Sequence, residues 1–445
     1  MNKIFSLFLI SFTLLAHNEE DPFNAFIHID LPNSGLLVNI GIKDNIDVKG
    51  MITSAGSLAL SNNYPSRDAF LISKLRSSNY HIYGKTNLSE WANFRSFNSV
   101  SGWSSFGGQT VNPHGKNRNP CGSSSGSAVA VASGILDIAI GTETNGSISC
   151  PASVNGIVGM KPSVGLVSRS GIVPISSTQD TAGPMGKTVM IVAKTLEVIA
   201  GEDPLDASTF NIPNNFDFNL SKNLNKNSLK NKRFGLLDSG SDDEEGQKLL
   251  NKITKVITSR GGDVVEIQDT RVYPGEEEFF LLLYEFERDL ELYLGDTNTP
   301  YKNLKDLIAF NIVNEDSVMP YFKQEIFDAS IEASLDDDKY IEVLATLEKV
   351  KEDFDSLLDA YNLDAFVGLT RNPAWVTDYE KGDGGAMEDQ KSWGNGGFAA
   401  IAGYPHITLP LGKVEGLPVG VSFIGTKWSD KSLLEYAASF ERANK

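Results

Sequence analysis

The sequence predicts a large globular protein of the α/β class, on three observations. The chain has 445 residues, enough for two or three ordinary domains or for one large α/β domain. Apolar residues make up 41% of it and charged residues 22%, which is the balance of a folded protein. Residues 233–267 read as a strand, a helix and a second strand, and this βαβ order favours a parallel sheet.

The first half of the chain reads as short strands and helices separated by polar loops. Strands are expected at 24–29, 36–43, 80–83, 135–140 and 156–160, helices at 68–78, 127–133 and 188–200, and turns or loops at 98–120, 141–149 and 180–185. The segment 98–120 is rich in Gly, Ser, Asn and Pro and has almost no hydrophobic periodicity. A loop of that length inside a compact domain is usually functional.

The second half reads as mainly helical. Helices are expected at 243–260, 276–294, 303–313, 320–333, 337–362, 398–402 and 431–441, strands at 233–237, 263–267, 364–369, 406–411 and 419–424, a surface excursion at 202–232, and a Gly/Asp-rich loop at 381–397. The Phe/Leu-rich stretch 279–286 is expected to pack in the core; the alternative is that it lines a substrate pocket.

The net charge and the N-terminal residues indicate which partners the protein binds and where in the cell it is found. The formal net charge of −18 argues against non-specific nucleic-acid binding, which needs a Lys/Arg surface. Lys3 followed by an apolar run over 4–15 resembles an export signal, and about twelve residues are too few to span a bilayer. We therefore expect a leader at 1–16, a single domain at 17–445, a periplasmic or secreted protein and no membrane contact after cleavage. The alternative for 1–16 is a strand or core helix, with a cytoplasmic location.

Two cysteines, Cys121 and Cys150, are too few for a disulfide framework, and no CxxC pair is present to hold zinc. We expect them to be small buried hydrophobic residues. A disulfide between them stays open, because the sequence cannot tell how close their Cα atoms lie. No metal and no cofactor are expected.

One candidate nucleophile lies in a GxSxG pattern at 122–126. Read as a nucleophile elbow, Ser124 would attack and His406 would follow later in the chain as the base. An elbow needs an apolar strand directly before it, whereas residues 117–120 are Asn-Arg-Asn-Pro. The elbow is therefore disfavoured, and Ser124 is expected to be structural.

A second candidate arrangement uses a lysine as base. Lys43 ends an apolar strand, and burying its ammonium costs several kcal/mol unless the group is paired or neutral. A lysine whose pKa is lowered by burial can activate a serine hydroxyl. Ser147 lies in a loop after a strand, where consecutive N–H groups can face one oxyanion and Gly146 leaves room for a carbonyl. The alternative for Lys43 is a side chain that reaches solvent beside neighbouring aspartates.

Three separated motifs identify a family. They are LVNIGIKDN at 37–45, CGSSSGS at 121–127 and GTETNGSISCPA at 141–152. In their order and in the spacing of their serines, the chain resembles the amidase signature enzymes, which carry a Ser–cis-Ser–Lys triad. The resemblance continues through 155–185 and 402–420 and covers essentially everything after the leader. It implies an α/β/α sandwich around a large mixed, mostly parallel sheet.

The resemblance implies a role for each matching residue. Ser147 is the nucleophile, Ser123 follows a cis peptide bond and bridges the nucleophile to the base, and Lys43 is the base. The backbone N–H groups of the nucleophile loop form the oxyanion hole, which comprises Thr144, Asn145, Gly146 and Ser147. Water then hydrolyses the acyl-enzyme.

Some positions depart from the family pattern. Leu-Val-Asn at 37–39 replaces the usual Gly-Ile-Pro. Glu143, Asn145 and Ser149 replace the usual Asp, Gly and Arg, respectively. The chain also has fewer residues before the lysine than is usual. These variants resemble the branch that contains bacterial peptide amidases, so the implied activity is hydrolysis of a peptide C-terminal amide or a related small amide. The alternatives are the amidase subunit of a tRNA-dependent amidotransferase and a catalytically silent binding protein. The oligomeric state is not indicated.

Overall fold

An eleven-stranded sheet runs through the centre of the molecule, in a computed structural model that describes residues 21–30, 35, 37–390 and 393–444. The leader expected at 1–16 lies outside the described residues. The strands are β1 (Phe26–Ile29), β2 (Val38–Lys43), β3 (Tyr80–Thr86), β4 (Trp103–Ser104), β5 (Gly108–Gln109), β6 (Ile138–Glu143), β7 (Val158–Lys161), β8 (Thr181–Gly186), β9 (Arg233–Leu236), β10 (Asp263–Glu266), β11 (Ala365–Leu369), β12 (His406–Val414) and β13 (Leu417–Ile424). Strands β4 and β5 form a separate ribbon.

Helices surround the sheet. They are α1 (Phe70–Arg76), α2 (Ser125–Ala132), α3 (Ser149–Asn155), α4 (Val189–Ile199), α5 (Glu244–Ser259), α6 (Gly275–Gly295), α7 (Leu304–Val313), α8 (Glu315–Val318), α9 (Glu325–Ala333), α10 (Asp337–Tyr361), α11 (Gly382–Ala386), α12 (Gly397–Ala402) and α13 (Asp430–Ala443). Short 3-10 helices occupy Leu58–Leu60, Glu90–Asn93 and Ala207–Asn211. In the described part, none of the helices combines the length and apolar character needed to cross a membrane.

The sheet is mixed, with the order β1-β3-β2-β6-β8-β7-β12-β13-β11-β9-β10. Parallel pairs join β2 to β3 and β6, and β9 to β10 and β11; the other six of the ten neighbouring pairs are antiparallel. The α/β class and the mixed sheet are confirmed, but the expected predominance of parallel pairs was wrong. The parallel signal came from the βαβ unit around β9 and β10, whereas hairpins such as β12–β13 build the centre.

Both faces of the sheet are covered. Along β6, Ile138 and Ile140 pack in one core cluster with α4, while Ala139 lies in another cluster with residues of α2 and α3. Successive side chains of a strand point to opposite faces, so a strand covered on both sides is apolar throughout. This layering is the sandwich that the resemblance implied.

Two local expectations in the first half were wrong. Most of the turn expected at 180–185 belongs instead to the inner strand β8 (Thr181–Gly186), in which every residue is buried. Pro184 lies opposite Ile140 of β6, whereas β7 pairs with β8 only at Met185 and Gly186, so the β7 side of the proline lies outside the ladder. The loop expected at 141–149 is shorter, because β6 continues to Glu143 and α3 begins at Ser149; Pro151 lies in the first turn of α3, where it costs no hydrogen bond.

Helix α6 packs mainly in a second core. Its residues Phe286, Leu290 and Leu294 are buried in a cluster with side chains of α7 and α9. Core packing of the Phe/Leu-rich stretch is therefore confirmed. Residues 202–232 contain turns and one 3-10 helix, and the buried Leu220, Leu224 and Leu229 anchor this excursion to the main core.

The packing of α6 makes a testable prediction. Phe286→Ala should lower the free energy of unfolding by about 3–5 kcal/mol, because it removes a fully buried ring and leaves a cavity. Leu292→Ala on the same helix is the matched control, since that side chain is 71% exposed and should change the value by less than about 0.5 kcal/mol. Urea denaturation measures both. Equal effects of the two substitutions would contradict this account of the core.

Candidate functional site

Lys43 ends β2 and is fully buried. Its Nζ donates hydrogen bonds to Ser123 Oγ at 2.7 Å, to Thr142 Oγ1 at 2.8 Å and to the Thr142 carbonyl oxygen at 3.3 Å. Burial lowers the pKa of Lys43 to about 7, although the nearby Asp180 and Glu143 oppose the shift. The alternative of a solvent-reaching lysine was wrong. The neighbouring Asp44 instead pairs with Lys85, at 3.0 Å.

Ser123 begins the turn into α2, and the Gly122–Ser123 peptide bond is cis, as the resemblance implied. The next residue, Ser124, is engaged with the backbone: its Oγ donates to the Thr142 carbonyl oxygen at 3.0 Å and accepts from the Thr142 N–H at 3.2 Å. Ser124 therefore joins the turn to β6. It has no contact with His406, whose Nε2 bonds Ser422 Oγ at 2.7 Å, so the elbow arrangement is absent from the described chain.

Ser147 lies in the turn between β6 and α3, one residue after Gly146 at φ +86°. Within the described residues its hydroxyl makes no hydrogen bond, and the residue lines a cavity of about 270 Å³. The Ser147 carbonyl oxygen accepts from the Ser124 N–H at 3.2 Å, which brings the two serine-bearing turns together. The structure therefore contains the Lys43–Ser123 hydrogen bond that the resemblance implied, but no Ser123–Ser147 hydrogen bond.

The backbone of the loop at 144–147, which carries Ser147, is free to bind an anion. The N–H groups of residues 144–147 donate no hydrogen bond in the part of the chain that the structure describes. The next two N–H groups, of Ile148 and Ser149, both bond Glu143 Oε2, at 2.7 and 2.8 Å. Glu143 thus holds the loop at its exit while the four preceding N–H groups stay available for an oxyanion.

Two further carboxylates hold the loop from the side. Asp180 accepts from Thr144 Oγ1 and from the N–H groups of 175–176, and burial raises its pKa to about 6. Glu278 of α6 accepts from Asn145 Nδ2 at 2.8 Å and from Gln179 Nε2 at 2.8 Å. Tyr273 OH accepts a second bond from Asn145 Nδ2, at 2.7 Å. Sequence reasoning missed these partners, because they lie far along the chain from the loop.

The cavity that Ser147 lines receives side chains from several elements. Its other lining residues include the nucleophile loop, Phe94, Leu282, Arg371, Trp375, Asp383 and Met387. A larger cavity of about 600 Å³ adjoins it at Ala92, Thr144 and Ile175. Leu282 shows that the Phe/Leu-rich stretch reaches the cavity as well as the core. Arg371 and Asp383 were missed; the Gly/Asp-rich composition of 381–397 was the only signal for Asp383.

The two cysteines are joined. Cys121 and Cys150 form a disulfide with their Cα atoms 6.1 Å apart, so the expectation of separate buried thiols was wrong. Cys121 directly precedes the cis-peptide turn, and Cys150 lies in the first turn of α3, just after Ser147. The bond therefore ties the two serine-bearing turns covalently. Among the described residues, no group of three or more His, Cys, Asp or Glu side chains could hold a metal ion.

Comparison with known proteins gives consistent matches. A family model described as Amidase matches residues 32–434. A probable amidase of Arabidopsis thaliana is 35% identical over 421 residues, which is 91% of this chain and 76% of the relative. A glutamyl-tRNA(Gln) amidotransferase subunit of Caldanaerobacter subterraneus is 33% identical over 413 residues, 91% of this chain and 82% of the relative.

Solved structures agree with the sequence matches. The native peptide amidase of Stenotrophomonas maltophilia is 40% identical, with a TM-score of 0.88. The alignment covers 95% of this chain and 89% of that one.

The disulfide makes the second prediction. Replacing both Cys121 and Cys150 by serine should lower the free energy of unfolding by about 3 kcal/mol, since the bond closes a loop with a sequence separation of 29. Urea unfolding of the double variant and the wild type measures the difference. Wild type treated with dithiothreitol should match the double variant. Equal stability of the oxidised wild type and the double variant would contradict the prediction.

Proposed function

The chain belongs to the amidase family of amide-hydrolysing enzymes, and from this premise we propose that it converts the C-terminal carboxamide of a peptide, or a related small amide, to the acid and ammonia. The reaction runs through Ser147, Ser123 and Lys43. One observation carries the proposal: a buried lysine with its pKa lowered to about 7 bonds Ser123 at 2.7 Å. A serine needs such a base to attack a carbonyl near neutral pH.

The first half of the reaction forms an acyl-enzyme. Neutral Lys43 takes a proton from Ser123, which takes one from Ser147, and Ser147 Oγ attacks the amide carbon. The charge that develops on the carbonyl oxygen is stabilised by the free N–H groups of 144–147. The protonated lysine then returns its proton through Ser123 to the departing nitrogen, and ammonia leaves.

The second half releases the acid. Lys43 is neutral again after ammonia departs, so it can activate a water molecule through Ser123. The resulting hydroxide attacks the ester of Ser147, the same N–H groups stabilise the second oxyanion, and the acid leaves. Since every proton that Lys43 accepts is later returned, the residue is unchanged after one turnover.

A peptide amide as substrate is supported by the 40% identity to the peptide amidase of Stenotrophomonas maltophilia. A cavity of about 270 Å³ suits a short acyl group. The second candidate is glutamine hydrolysis for an amidotransferase, which is favoured by the 33% identity to the Caldanaerobacter protein. The two candidates differ in substrate and use the same triad.

The proposal extends to the location of the enzyme. The apolar leader at 1–16 directs export, and the Cys121–Cys150 disulfide supports this because disulfides persist mainly in oxidising compartments. An exported enzyme would act on amides outside the cytoplasm, where a tRNA-dependent amidotransferase has no substrate. Cell fractionation of the expressed full chain separates the two locations.

The third prediction tests the substrate and the nucleophile. Purified enzyme should release ammonia from peptide amides faster than from free amino-acid amides, aryl amides or glutamine. A fluorophosphonate should inactivate it, and mass spectrometry should find the adduct on Ser147, because that residue lines the cavity and its hydroxyl is unbonded within the described chain. Preferred hydrolysis of glutamine would favour the second candidate, and an adduct on Ser124 would refute the assignment of the nucleophile.

The fourth prediction concerns pH. Because Lys43 must be neutral to act as base, kcat/KM should rise about tenfold per pH unit below about pH 7 and level off above it. Lys43→Ala should lower kcat/KM by at least about a hundredfold. Lys49→Ala is the control, since it removes a lysine whose side chain is exposed. A flat profile, or full activity of Lys43→Ala, would refute the base.

A further inference from the structure

Arg371 is a cation at the active-site cavity that pairs with no carboxylate of the described residues. It follows β11 and lines the same cavity as Ser147. Within the described chain its Nε is buried without a hydrogen-bond partner, while an Nη donates to Met387 Sδ at 2.9 Å. The guanidinium carbon lies 5.3 Å from the centroid of the Trp375 ring. Burial lowers the pKa of Arg371, and Asp383 only partly opposes this.

Three other arginines with little exposed surface are paired with carboxylates. Arg95 bonds Glu90 at 3.0 Å, Arg169 bonds Asp206 at 2.7 Å, and Arg271 bonds Asp269 at 2.7 Å. A guanidinium removed from water without a counter-charge is costly, which explains these pairs. Arg371 departs from this rule at a cavity wall, where a bound molecule could supply the missing charge.

Asp383 lines the same cavity, but its carboxylate oxygens already accept hydrogen bonds from other residues. Asp383 Oδ2 accepts from the Ser101 N–H at 2.9 Å, and Asp383 Oδ1 accepts from Asn119 Nδ2 at 3.2 Å and from Trp375 Nε1 at 3.1 Å. These three donors account for both carboxylate oxygens. Asp383 thus positions the Trp375 ring against Arg371 and forms no ion pair with the guanidinium.

We propose that Arg371 binds a carboxylate on the acyl part of the substrate, so that the enzyme prefers amides whose acyl group is anionic. The planar fork of a guanidinium matches a carboxylate with two parallel hydrogen bonds. The small cavity keeps that carboxylate within one short acyl group of Ser147. A local cation also offsets the net charge of −18, which repels anions at long range.

The proposal rests on the proposed function for the position of the scissile amide at Ser147. The carboxylate has two sources: the acidic side chain of the last residue of a peptide amide, or the α-carboxylate of glutamine, whose side-chain amide is then the one cleaved. N-acetylglutamic acid α-amide represents the first source, free glutamine the second. N-acetylmethionine amide is the neutral substrate of similar length.

The experiment compares kcat/KM for these three amides at pH 8 and constant ionic strength. The wild type should favour at least one carboxylate-bearing amide over the neutral one by about tenfold or more, the effect of a charge-assisted pair. Arg371→Gln should bring that ratio to about one. Arg260→Gln, which removes the same charge from an exposed site, should keep the wild-type ratio. The carboxylate-bearing amide with the higher kcat/KM identifies the source of the carboxylate.

Calorimetry tests the same site without turnover. The preferred carboxylate-bearing amide should bind Ser147→Ala about tenfold more tightly than Ser147→Ala/Arg371→Gln. If the wild type hydrolyses none of the amides, the calorimetry uses N-acetylglutamic acid α-amide as the ligand. The difference in affinity between the two Ser147→Ala proteins then decides the role of Arg371. Absence of turnover would sink the proposed function separately. A ratio unchanged in Arg371→Gln, or equal affinities of the two Ser147→Ala proteins, overturns the role of Arg371.

Discussion

The burial of the Lys43 amine is the constraint on which the site depends. Its Nζ has no access to water and is held by Ser123 and Thr142, and burial lowers its pKa to about 7, so a large neutral fraction exists near neutral pH. The position of the lysine follows from the sheet, because β2 lies between β3 and β6 and delivers its last residue into the space between β6 and the turn before α2. A lysine on an edge strand would keep its water and its charge.

Buried carboxylates shape the nucleophile loop. Glu143 accepts the two N–H groups after Ser147, Asp180 takes Thr144, and Glu278 takes Asn145. Hydrogen bonds from the loop lower the cost of enclosing these three acids, although Glu143 Oε1 has no hydrogen-bond partner in the described chain. The loop is bonded through its side chains and its exit, which leaves its four central N–H groups unbonded within the described chain. Contacts of its side chains and of the residues that follow it therefore fix the loop without using the N–H groups of 144–147.

The disulfide and the Ser124–Ser147 backbone hydrogen bond act on the same two turns. One joins Cys121 to Cys150 and the other joins the turns directly, so the serine that bonds Lys43 and the serine that lines the cavity are held together from two sides. Arg371 and Trp375 form another wall of the cavity from a loop after β11. The candidate reacting groups therefore lie in the first half of the chain, and the second half supplies part of the cavity wall.

The α/β class and most helices could be predicted from sequence, because apolar periodicity is a local property, and motif spacing marked Lys43, Ser123 and Ser147 as candidate site residues. Strand β8 could not, since its Gly and Pro are unlike a strand and only its position between β6 and β7 makes it one. The sequence alone determined which residue types stand at 43, 123 and 147. The tertiary structure decided that Cys121 meets Cys150, that Glu278 meets Asn145 and that Arg371 meets no carboxylate in the described chain, because each depends on packing between segments distant in the chain.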